Sequence, residues 1–340
     1  MKTSIVIISW NDGAVIAACL RSIYAEAQSG DFEIIVTDNG STDASLATIR
    51  KEFPAVKIIE NGRNLGFGAG NNAGIRVATG DYVLILNPDT IIHGHAVDEL
   101  VRIADEHPEA GAFSCRVLNT DGSLQETTHR LPNLRDYFLT ALGLRRFVRL
   151  PWNRSPDTGW RCKPQTAFNV GFAAGCCLLV RGPLLQKLGG FDPLFDFQFE
   201  DADLCHRVWD AGQKVLFWPA AKITHIGGMN RGRYPARVIL ETYRSRYRYF
   251  YKHHGAKAAL RIRQISLLAL GLRFLGYRLL RALRPSDSLQ QRLDVYRVLI
   301  PWNWQLDPIA FVTRGAEPNL GYLPILTKSV SIEPTCQKGV

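Results

Sequence analysis

Four short apolar runs in the first 115 residues constrain what this chain can fold into. They lie at residues 5–8, 34–36, 56–59 and 82–86, and none alternates apolar with polar side chains. Such runs are typical of strands buried on both faces, as in a parallel sheet covered by helices. Stretches with helical spacing separate the runs, at residues 14–26, 43–52 and 70–79. The order predicts an α/β fold with a mostly parallel sheet and flanking helices, whose ligands bind beyond the carboxyl ends of the strands.

Composition supports a folded protein and excludes a disordered one. Hydrophobic residues make up 46% of the 340 residues, and charged residues 21%. The seven cysteines include no CxxC spacing, which favours reduced thiols in a cytoplasmic protein. The first apolar run is too short for the core of a signal peptide, so we interpret it as a buried strand.

The segment 38–41 follows the second predicted strand and carries the first candidate binding residue. A carboxylate at Asp38, beside Asn39, can accept hydrogen bonds from a uracil or ribose group. Asp-Asn-Gly is also strong turn chemistry, so a simple turn is the alternative. The sequence leaves both interpretations open.

A glycine-rich segment at residues 66–70 follows the third predicted strand. It resembles a loop that cradles phosphate before a helix, although a dinucleotide fingerprint would follow the first strand. Asn64, Asn71 and Asn72 surround it with amide donors and acceptors, which favours a polar ligand.

Asp89 and His225 are candidate metal ligands. Asn87-Pro88-Asp89 closes the most apolar strand, and a divalent cation bound with a diphosphate needs one or two protein carboxylates. Asn-Pro also starts turns readily, which is the alternative for this segment. His225 follows a strand predicted at 215–218 that ends at Pro219, where imidazole ligation becomes plausible.

Glu200, Asp201 and Asp203 place three carboxylates within four residues. Their apolar flanks include Phe195, Phe197, Phe199 and Leu204. Crowded carboxylates beside aromatic side chains are expected to have raised pKa values, which suits a general base. A solvated charged face is the alternative.

These motifs, in this order, resemble the inverting family 2 glycosyltransferases of the GT-A fold, particularly the rhamnosyltransferase-like branch. The matching stretches are 5–11, 36–43, 61–74, 81–90, 171–177, 189–210 and 219–228. They span roughly residues 4–255, about three quarters of the chain.

The resemblance implies a role for each candidate residue. Asp201 would be the catalytic base, with Glu200 and Asp203 as neighbours and Asp203 as the competing base. Asp89 and His225 would hold Mg²⁺ or Mn²⁺, and Asn87 replaces the first acid of the family's DxD-type motif. The residues that would bind the nucleotide-sugar are Ser9, Asn11, Asp38, Asn39, Arg63, Asn64, Gly68, Asn72 and Asn87.

The donor implied is a dTDP- or UDP-sugar, with rhamnose from a dTDP donor as the first choice. The acceptor would be a hydroxyl of a cell-envelope glycan, such as a polyprenyl-linked oligosaccharide, a lipopolysaccharide core or a capsule precursor. A nucleotidyltransferase and a non-catalytic, membrane-associated sugar-nucleotide-binding protein are the alternative hypotheses.

We predict a GT-A catalytic domain over residues 1–230, with a nucleotide-binding half at about 1–115 and an acceptor half at about 116–230. Residues 231–340 form the second predicted region, a basic helical C-terminal extension with helices at 236–254 and 258–284. Residues 231–300 carry 14 Arg and 2 Lys against three acids.

The basic, apolar helix at 258–284 favours contact with the inner face of the plasma membrane. Its longest uncharged run, residues 264–272, is far short of a span of roughly 20 residues. Arginines and tyrosines alternate at 243–249, but on a helix they wrap around several faces. Nucleic acid is therefore not a predicted partner.

Overall fold

The computed structural model describes residues 2–26, 31–144, 166–195, 198–227 and 235–318. Predictions that involve Cys162, Phe197, Cys336 or residues 319–340 lie outside this range. The described chain forms two compact units. The first contains the residues up to 131 and those from 166 to 227, and the second contains residues 132–144 and 235–318.

The first unit is built on a nine-stranded mixed sheet. Its strands are β1 (Thr3–Ser9), β2 (Phe32–Asp38), β3 (Lys57–Glu60), β4 (Tyr82–Leu86), β5 (Thr90–His93), β6 (Ala110–Leu118), β8 (Phe168–Asn169), β10 (Cys177–Arg181) and β11 (Lys214–His225). Their order is β3-β2-β1-β4-β10-β6-β11-β5, with β8 beside β11. A separate two-stranded sheet pairs β7 (Thr128–His129) with β9 (Phe172–Ala173).

The four predicted N-terminal strands are adjacent and parallel in this sheet, as expected. Ser9 pairs with Asp38, and Ile7 pairs with Leu86, so the carboxyl ends of β2, β1 and β4 lie at one edge. Side chains of β1 alternate between two apolar layers, with Ile5 and Ile7 on one face of the sheet and Val6 on the other. This double burial explains why the strands lack polar alternation.

Strand β10 lies between β4 and β6 in the sheet and is a reversal of the strand direction there. It is antiparallel to both neighbours, with Cys177 opposite Leu86 and Leu178 opposite Ser114. In the sequence, residues 172–180 form an apolar patch that carries no signal of strand direction. Because of the reversal, β10 begins at the edge where β4 ends.

Six helices cover the sheet. They are α1 (Ile16–Glu26), α2 (Ser45–Glu52), α3 (Phe67–Ile75), α4 (Ala96–Glu106), α6 (Gly182–Leu188) and α7 (Glu200–Asp210).

The prediction of a loop over residues 66–70, followed by a helix, is wrong in its boundary. Helix α3 begins at Phe67, and Gly66, with φ of 82°, is the residue before it. The later glycines allow α3 to approach the sheet closely. A Cβ atom on Gly70 would lie 2.3 Å from Cδ1 of Ile8, and one on Gly74 would lie 2.6 Å from Cγ1 of Val6. Close packing therefore accounts for these glycines.

The predicted end of a strand at Pro219 is also wrong. Strand β11 continues through Pro219 to His225, and its register with β6 shifts between Trp218 and Lys222. Proline has no N–H to donate to the ladder, and an irregularity in pairing accommodates it. His225 is therefore the last residue of β11.

The second unit is helical. It contains α5 (Leu134–Ala141), α8 (Pro235–Leu283), α9 (Asp287–Gln305) and α10 (Pro308–Arg314). Gly255, with φ of 79°, interrupts α8 at the break between the two predicted helices. The sequence favours a short helix near 135–147; helix α5 ends at Ala141, and residues 145–147 lie outside the described chain.

Arginines near the start of α8 pack within this unit. The guanidinium of Arg246 lies 4.5 Å from the ring centre of Tyr137 and 4.8 Å from that of Tyr243. That of Arg248 lies 5.1 Å from the ring of Phe311. The alternation of arginine and tyrosine is thus explained by helix packing. None of the described helices has the length and apolar character needed to cross a membrane.

Candidate active site

Asp38 ends β2 and is almost fully buried. Its Oδ2 accepts hydrogen bonds from the N–H groups of Gly40 and Ser41, each at 3.0 Å, so the predicted turn is present. Its Oδ1 is also buried and has no hydrogen-bond partner among the described residues. Arg63 is exposed, and its backbone lies close to Gly40. A Cβ atom added to Gly40 would be 3.0 Å from the Cα of Arg63. The turn and a free acceptor therefore coexist.

Asn39 ties the loops after β2 and β3 together. Its Oδ1 accepts from Nδ2 of Asn61 at 2.9 Å, and its Nδ2 donates to the Gly66 carbonyl at 3.1 Å. The Asn39 Nδ2 also donates to Oδ1 of Asn64 at 3.3 Å, and the same oxygen accepts from the Gly66 N–H. The predicted asparagines thus form one network around the start of α3.

Ser9 and Asn11 lie at the end of β1, beside the same turn. Ser9 is buried, and its carbonyl accepts the N–H of Asn39 at 2.8 Å. Asn11 is in the left-handed region, with φ of 57°, and its Oδ1 accepts from the Thr42 N–H at 2.8 Å. These bonds hold the β1 and β2 ends in register.

Asn72 and Gly68 contact Phe191. Both polar atoms of the Asn72 amide bond to that residue's backbone, Nδ2 to the carbonyl at 2.7 Å and Oδ1 to the N–H at 2.8 Å. A Cβ atom on Gly68 would lie 3.1 Å from the Cβ of Phe191. These contacts give both residues a structural role, and their contact with a nucleotide stays a prediction.

Asp89 and His225 lie together, although they are 136 positions apart in the chain. Pairing of His225 with Thr90 brings β11 beside β5, and the His225 Nε2 lies 3.3 Å from Oδ1 of Asp89. The other carboxylate oxygen accepts the Gly227 N–H at 2.9 Å. Burial raises the pKa of Asp89, but the hydrogen bond and charge of His225 outweigh it, so the pKa is lowered overall. Asp89 is therefore held as a carboxylate.

The tautomer of His225 follows from its hydrogen bonds. Its Nδ1 lies 2.7 Å from Oε1 of Gln125, and the Gln125 Nε2 donates to Oδ1 of Asn119 at 2.9 Å. A carbonyl oxygen only accepts, so Nδ1 carries the proton. When Nε2 carries no proton its lone pair is free to bind a cation, and this nitrogen lies 3.1 Å from Nδ2 of Asn87.

These groups fit a divalent cation. Asp89 Oδ1 and His225 Nε2 offer an oxygen and an imidazole nitrogen close together, and the second imidazole nitrogen has the partner typical of metal sites. The Asn87 Oδ1 is buried with no hydrogen-bond partner within the described chain, so it is a further available acceptor.

Glu200 and Asp201 begin α7 as adjacent carboxylates, of which Glu200 is buried and Asp201 half-buried. Burial and the charge of Asp201 raise the pKa of Glu200 to about 8. Burial also raises the pKa of Asp201 above its usual value. The Asp201 Oδ2 accepts the Gly175 N–H at 3.3 Å. The predicted crowding of carboxylates is therefore present, and at neutral pH Glu200 keeps its proton.

The backbone before α7 is strained. Gln198 and Phe199 both have positive φ values, 62° and 66°, although neither is glycine. Such strain persists only where the surroundings enforce it, and it clusters at functional sites.

Asp203 is committed to a buried ion pair. Its Oδ2 lies 2.7 Å from Nε of Arg207, and the Asp203 side chain is fully buried. The two other nitrogens of Arg207 donate to the carbonyls of Leu188 and Gly190. Asp203 thus stabilises the packing of α7, whereas Asp201 does not share this bond.

The segment 175–176 contacts both Asp201 and Asn87, which lies two residues before Asp89. Gly175 donates its N–H to Asp201, and the Cys176 carbonyl accepts the Asn87 N–H at 3.0 Å. Burial raises the pKa of the Cys176 thiol, and the charges of both Asp201 and Asp89 add to this effect. The carboxylates of Glu200 and Asp201 therefore lie at the same edge of the sheet as the carboxylate of Asp89.

Three site residues were missed by sequence reasoning. Gln125 orients His225, as described above. His129 is close enough to Asp201 for its charge to lower that residue's pKa. Asp12 has a pKa raised to about 6, mainly by burial and in part by the charge of Asp89. None lies in a recognisable motif, so only the folded chain indicates them.

The chain belongs to glycosyl transferase family 2, since the model of that family matches residues 4–189, more than half of the chain. The family prediction is confirmed, and the protein is a glycosyltransferase. It is 28% identical over 262 residues to N-acetylglucosaminyl-diphospho-decaprenol L-rhamnosyltransferase of Mycobacterium tuberculosis, covering 74% of this chain and 84% of the relative. It is 25% identical over 254 residues to rhamnosyltransferase WbbL of Escherichia coli K12, covering 72% and 91%.

The fold resembles solved structures more broadly. The mannosyltransferase PcManGT from Pyrobaculum calidifontis, determined with GDP-Man and Mn²⁺, aligns with a TM-score of 0.51 at 17% identity. The alignment covers 93% of this chain and 88% of that one. The predicted GT-A fold, with its helical C-terminal region, is confirmed.

Proposed function

We propose that this glycosyltransferase moves a sugar, rhamnose as the first choice, from a dTDP- or UDP-sugar to a lipid-linked acceptor, with inversion. The acceptor follows the relative from M. tuberculosis, whose name specifies an N-acetylglucosaminyl-diphospho-polyprenol. The observation that carries the proposal is the segment 175–176, which contacts both Asp201, the assigned base, and Asn87, two residues before the proposed metal ligand Asp89.

The nucleotide end of the donor is assigned to the carboxyl ends of β1 and β2. The unpaired Oδ1 of Asp38 is a buried acceptor, and a buried acceptor left without a donor is costly. A base or ribose group that donates a hydrogen bond removes that cost. Asn39 and Asn64 hold the surrounding loops, and Arg63 is the exposed cation beside the turn.

Asp89 and His225, with Asn87 Oδ1 as a further acceptor, would hold Mg²⁺ or Mn²⁺. Such a cation, when bound, neutralises charge on a departing diphosphate. Within the protein, hydrogen bonds to Gly227 and Gln125 orient the side chains of Asp89 and His225. The two atoms that would bind the cation are therefore oriented before it binds.

Asp201 is assigned as the base. It removes the proton of the acceptor hydroxyl while that oxygen forms a bond to the anomeric carbon. The bond from that carbon to the diphosphate breaks on the opposite face, so one displacement inverts the centre and no covalent enzyme intermediate forms. Glu200, protonated at neutral pH, leaves the negative charge of the pair on Asp201.

We place this reaction in the cytoplasm, at the inner face of the plasma membrane. The five cysteines in the described residues are all free and buried, which suits a reducing compartment. A polyprenyl-linked acceptor would bring the enzyme to the lipid surface.

The test is sugar transfer by the purified full chain. dTDP-rhamnose and a panel of UDP- and GDP-sugars are supplied with Mn²⁺ and a short-chain N-acetylglucosaminyl-diphospho-lipid. We expect one donor to be used, with inversion seen by NMR of the product. Asp201→Asn should lower turnover by roughly 10²- to 10⁴-fold while the Kd for the donor stays unchanged.

Asp203→Asn is the matched control, because it removes the neighbouring carboxylate on the same helix. Turnover per folded molecule should persist in this variant. A retained anomeric configuration would exclude the single displacement. Equal turnover of Asp201→Asn and the wild type would exclude Asp201 as the base.

A further inference from the structure

The second half of α8 carries a line of exposed leucines. Their exposed fractions rise from 50% at Leu268 through 55% at Leu272, 56% at Leu275 and 68% at Leu279 to 79% at Leu283. Spacings of three and four residues place them on one face of the helix, along about 22 Å. We call these five residues the leucine stripe.

The stripe is a second apolar face, not the packing face of this helix. Residues Ile262, Ser266, Ala269 and Leu270 are buried within the second unit. Ser266, for example, shares a 2.7 Å hydrogen bond with the hydroxyl of Tyr137. Scattered exposed leucines are ordinary, but a contiguous apolar line marks an interaction surface.

The charge around the stripe selects its partner. Residues 256–286 contain six arginines and one lysine and no acidic residue. Of the exposed arginines, Arg278 lies on the next face of the helix beside the stripe, and Arg281 lies on the opposite face. A second copy of this helix would bring two cationic surfaces together without a compensating acid. An anionic surface with an apolar interior satisfies both features.

We propose that the leucine stripe binds an anionic lipid surface, with α8 lying in the interface and its arginines at the level of the lipid head groups. The geometry is that of an interfacial helix, whose apolar face enters the acyl boundary while basic side chains stay among the phosphates. This proposal rests on the proposed function in one respect, since a lipid-linked acceptor requires access to a membrane.

The test is co-sedimentation of the full chain with vesicles. Phosphatidylcholine vesicles are compared with vesicles that also contain phosphatidylglycerol. We expect binding to the anionic vesicles, weakened by salt through screening. The triple variant Leu272→Gln, Leu275→Gln, Leu279→Gln should bind about tenfold or more weakly, because it loses apolar area from the acyl boundary.

Leu280→Gln is the matched control, because Leu280 is 50% exposed but lies on another face of the same helix. It should bind like the wild type. Arg278→Gln with Arg281→Gln should reduce the preference for phosphatidylglycerol. Equal binding of the triple variant and the wild type, or binding that ignores anionic lipid, would overturn the proposal. So would a dimer of the wild type that the triple variant loses, since that result assigns the stripe to a second copy.

Transfer to the short-chain acceptor without vesicles separates this proposal from the proposed function. The triple variant should retain that activity, as the stripe contains no site residue. If the wild type binds anionic vesicles but transfers no sugar, the proposed function fails and the lipid surface stands. If the wild type transfers sugar but binds no vesicles, the proposed function stands and the lipid-binding proposal fails.

Discussion

Gln125 accepts a hydrogen bond from Nδ1 of His225 across 2.7 Å, although the two residues are 100 positions apart in the chain. The bond leaves Nε2 of His225 as the nitrogen that faces Asp89. A partner of this kind fixes the orientation of an imidazole ligand and raises its basicity. Gln125 is therefore a positioning residue for the proposed metal pair.

Replacing Gln125 should weaken metal binding. We expect Gln125→Leu to raise the Kd for Mn²⁺ by about 10- to 100-fold, because His225 loses the acceptor that orients it. Isothermal titration calorimetry on the donor-free protein measures this directly. Gln125→Glu retains an acceptor oxygen and should lose less affinity. An unchanged Kd in Gln125→Leu would show that His225 is not a ligand held in this way.

Asp203→Asn should destabilise the first unit without removing the base. The change leaves Arg207 largely buried, with a side-chain exposure of 15%, and without its counter-charge. Removing one partner of a buried ion pair costs about 3–5 kcal/mol in the free energy of unfolding. Urea denaturation measures the loss, and the double variant Asp203→Leu, Arg207→Met should recover part of it. A loss below about 1 kcal/mol would contradict a structural role.

Glu200 should make the metal-free protein less stable as pH rises. Its folded pKa of about 8 lies above the ordinary value of 4.5, so between these values the unfolded chain releases a proton that the folded chain keeps. Its contribution is fully present below pH 4.5 and is lost as pH rises through about 8. Relative to Glu200→Gln, the wild-type free energy of unfolding should fall by about 1 kcal/mol per pH unit. Urea titrations at pH 5, 6, 7 and 8 test this, and parallel curves for the two proteins would refute it.

Adding a methyl group at Gly74 should disturb the packing of α3. The new Cβ would lie 2.6 Å from Cγ1 of Val6 and 3.0 Å from Cγ2 of Thr37, which are both stiff, buried side chains. We expect Gly74→Ala to cost about 1–3 kcal/mol of stability by thermal unfolding. Gly271→Ala is the matched control, because its Cβ would meet nothing within 4 Å, and it should be neutral or stabilising. Equal melting temperatures for the two variants would refute the packing role.

The parallel half of the sheet could be predicted because burial on both faces leaves a local mark in the sequence. Runs such as β1 and β4 have no polar alternation, and the residues that follow them lie at the predicted edge. The direction of β10 was not predictable, because an antiparallel strand buried on both faces has the same composition as a parallel one. The strand was predicted to end at Pro219, because only the pairing of β11 with β6 shows that an irregularity accommodates this proline.

The candidate site residues also differ in how far the sequence alone could indicate them. Asp89 and Glu200 stand next to strong local patterns, so chemistry alone indicated them. Gln125 and His129 acquire meaning only from partners far along the chain. The commitment of Asp203 to Arg207 likewise depends on side-chain direction, which three adjacent acids do not specify.

The end of β11 and the two residues after it supply both groups that fix Asp89, the imidazole of His225 and the N–H of Gly227. During synthesis the nucleotide end of the site, at Asp38, leaves the ribosome long before these groups exist. The proposed metal ligands Asp89 and His225 cannot be held together until residue 227 has been synthesised and β11 has paired with β5. Gly227 lies 138 positions after its partner Asp89 in the chain. A nascent chain that stops earlier contains β1–β4 but lacks His225 and Gly227, so the proposed cation site is completed only near the end of translation of the first unit.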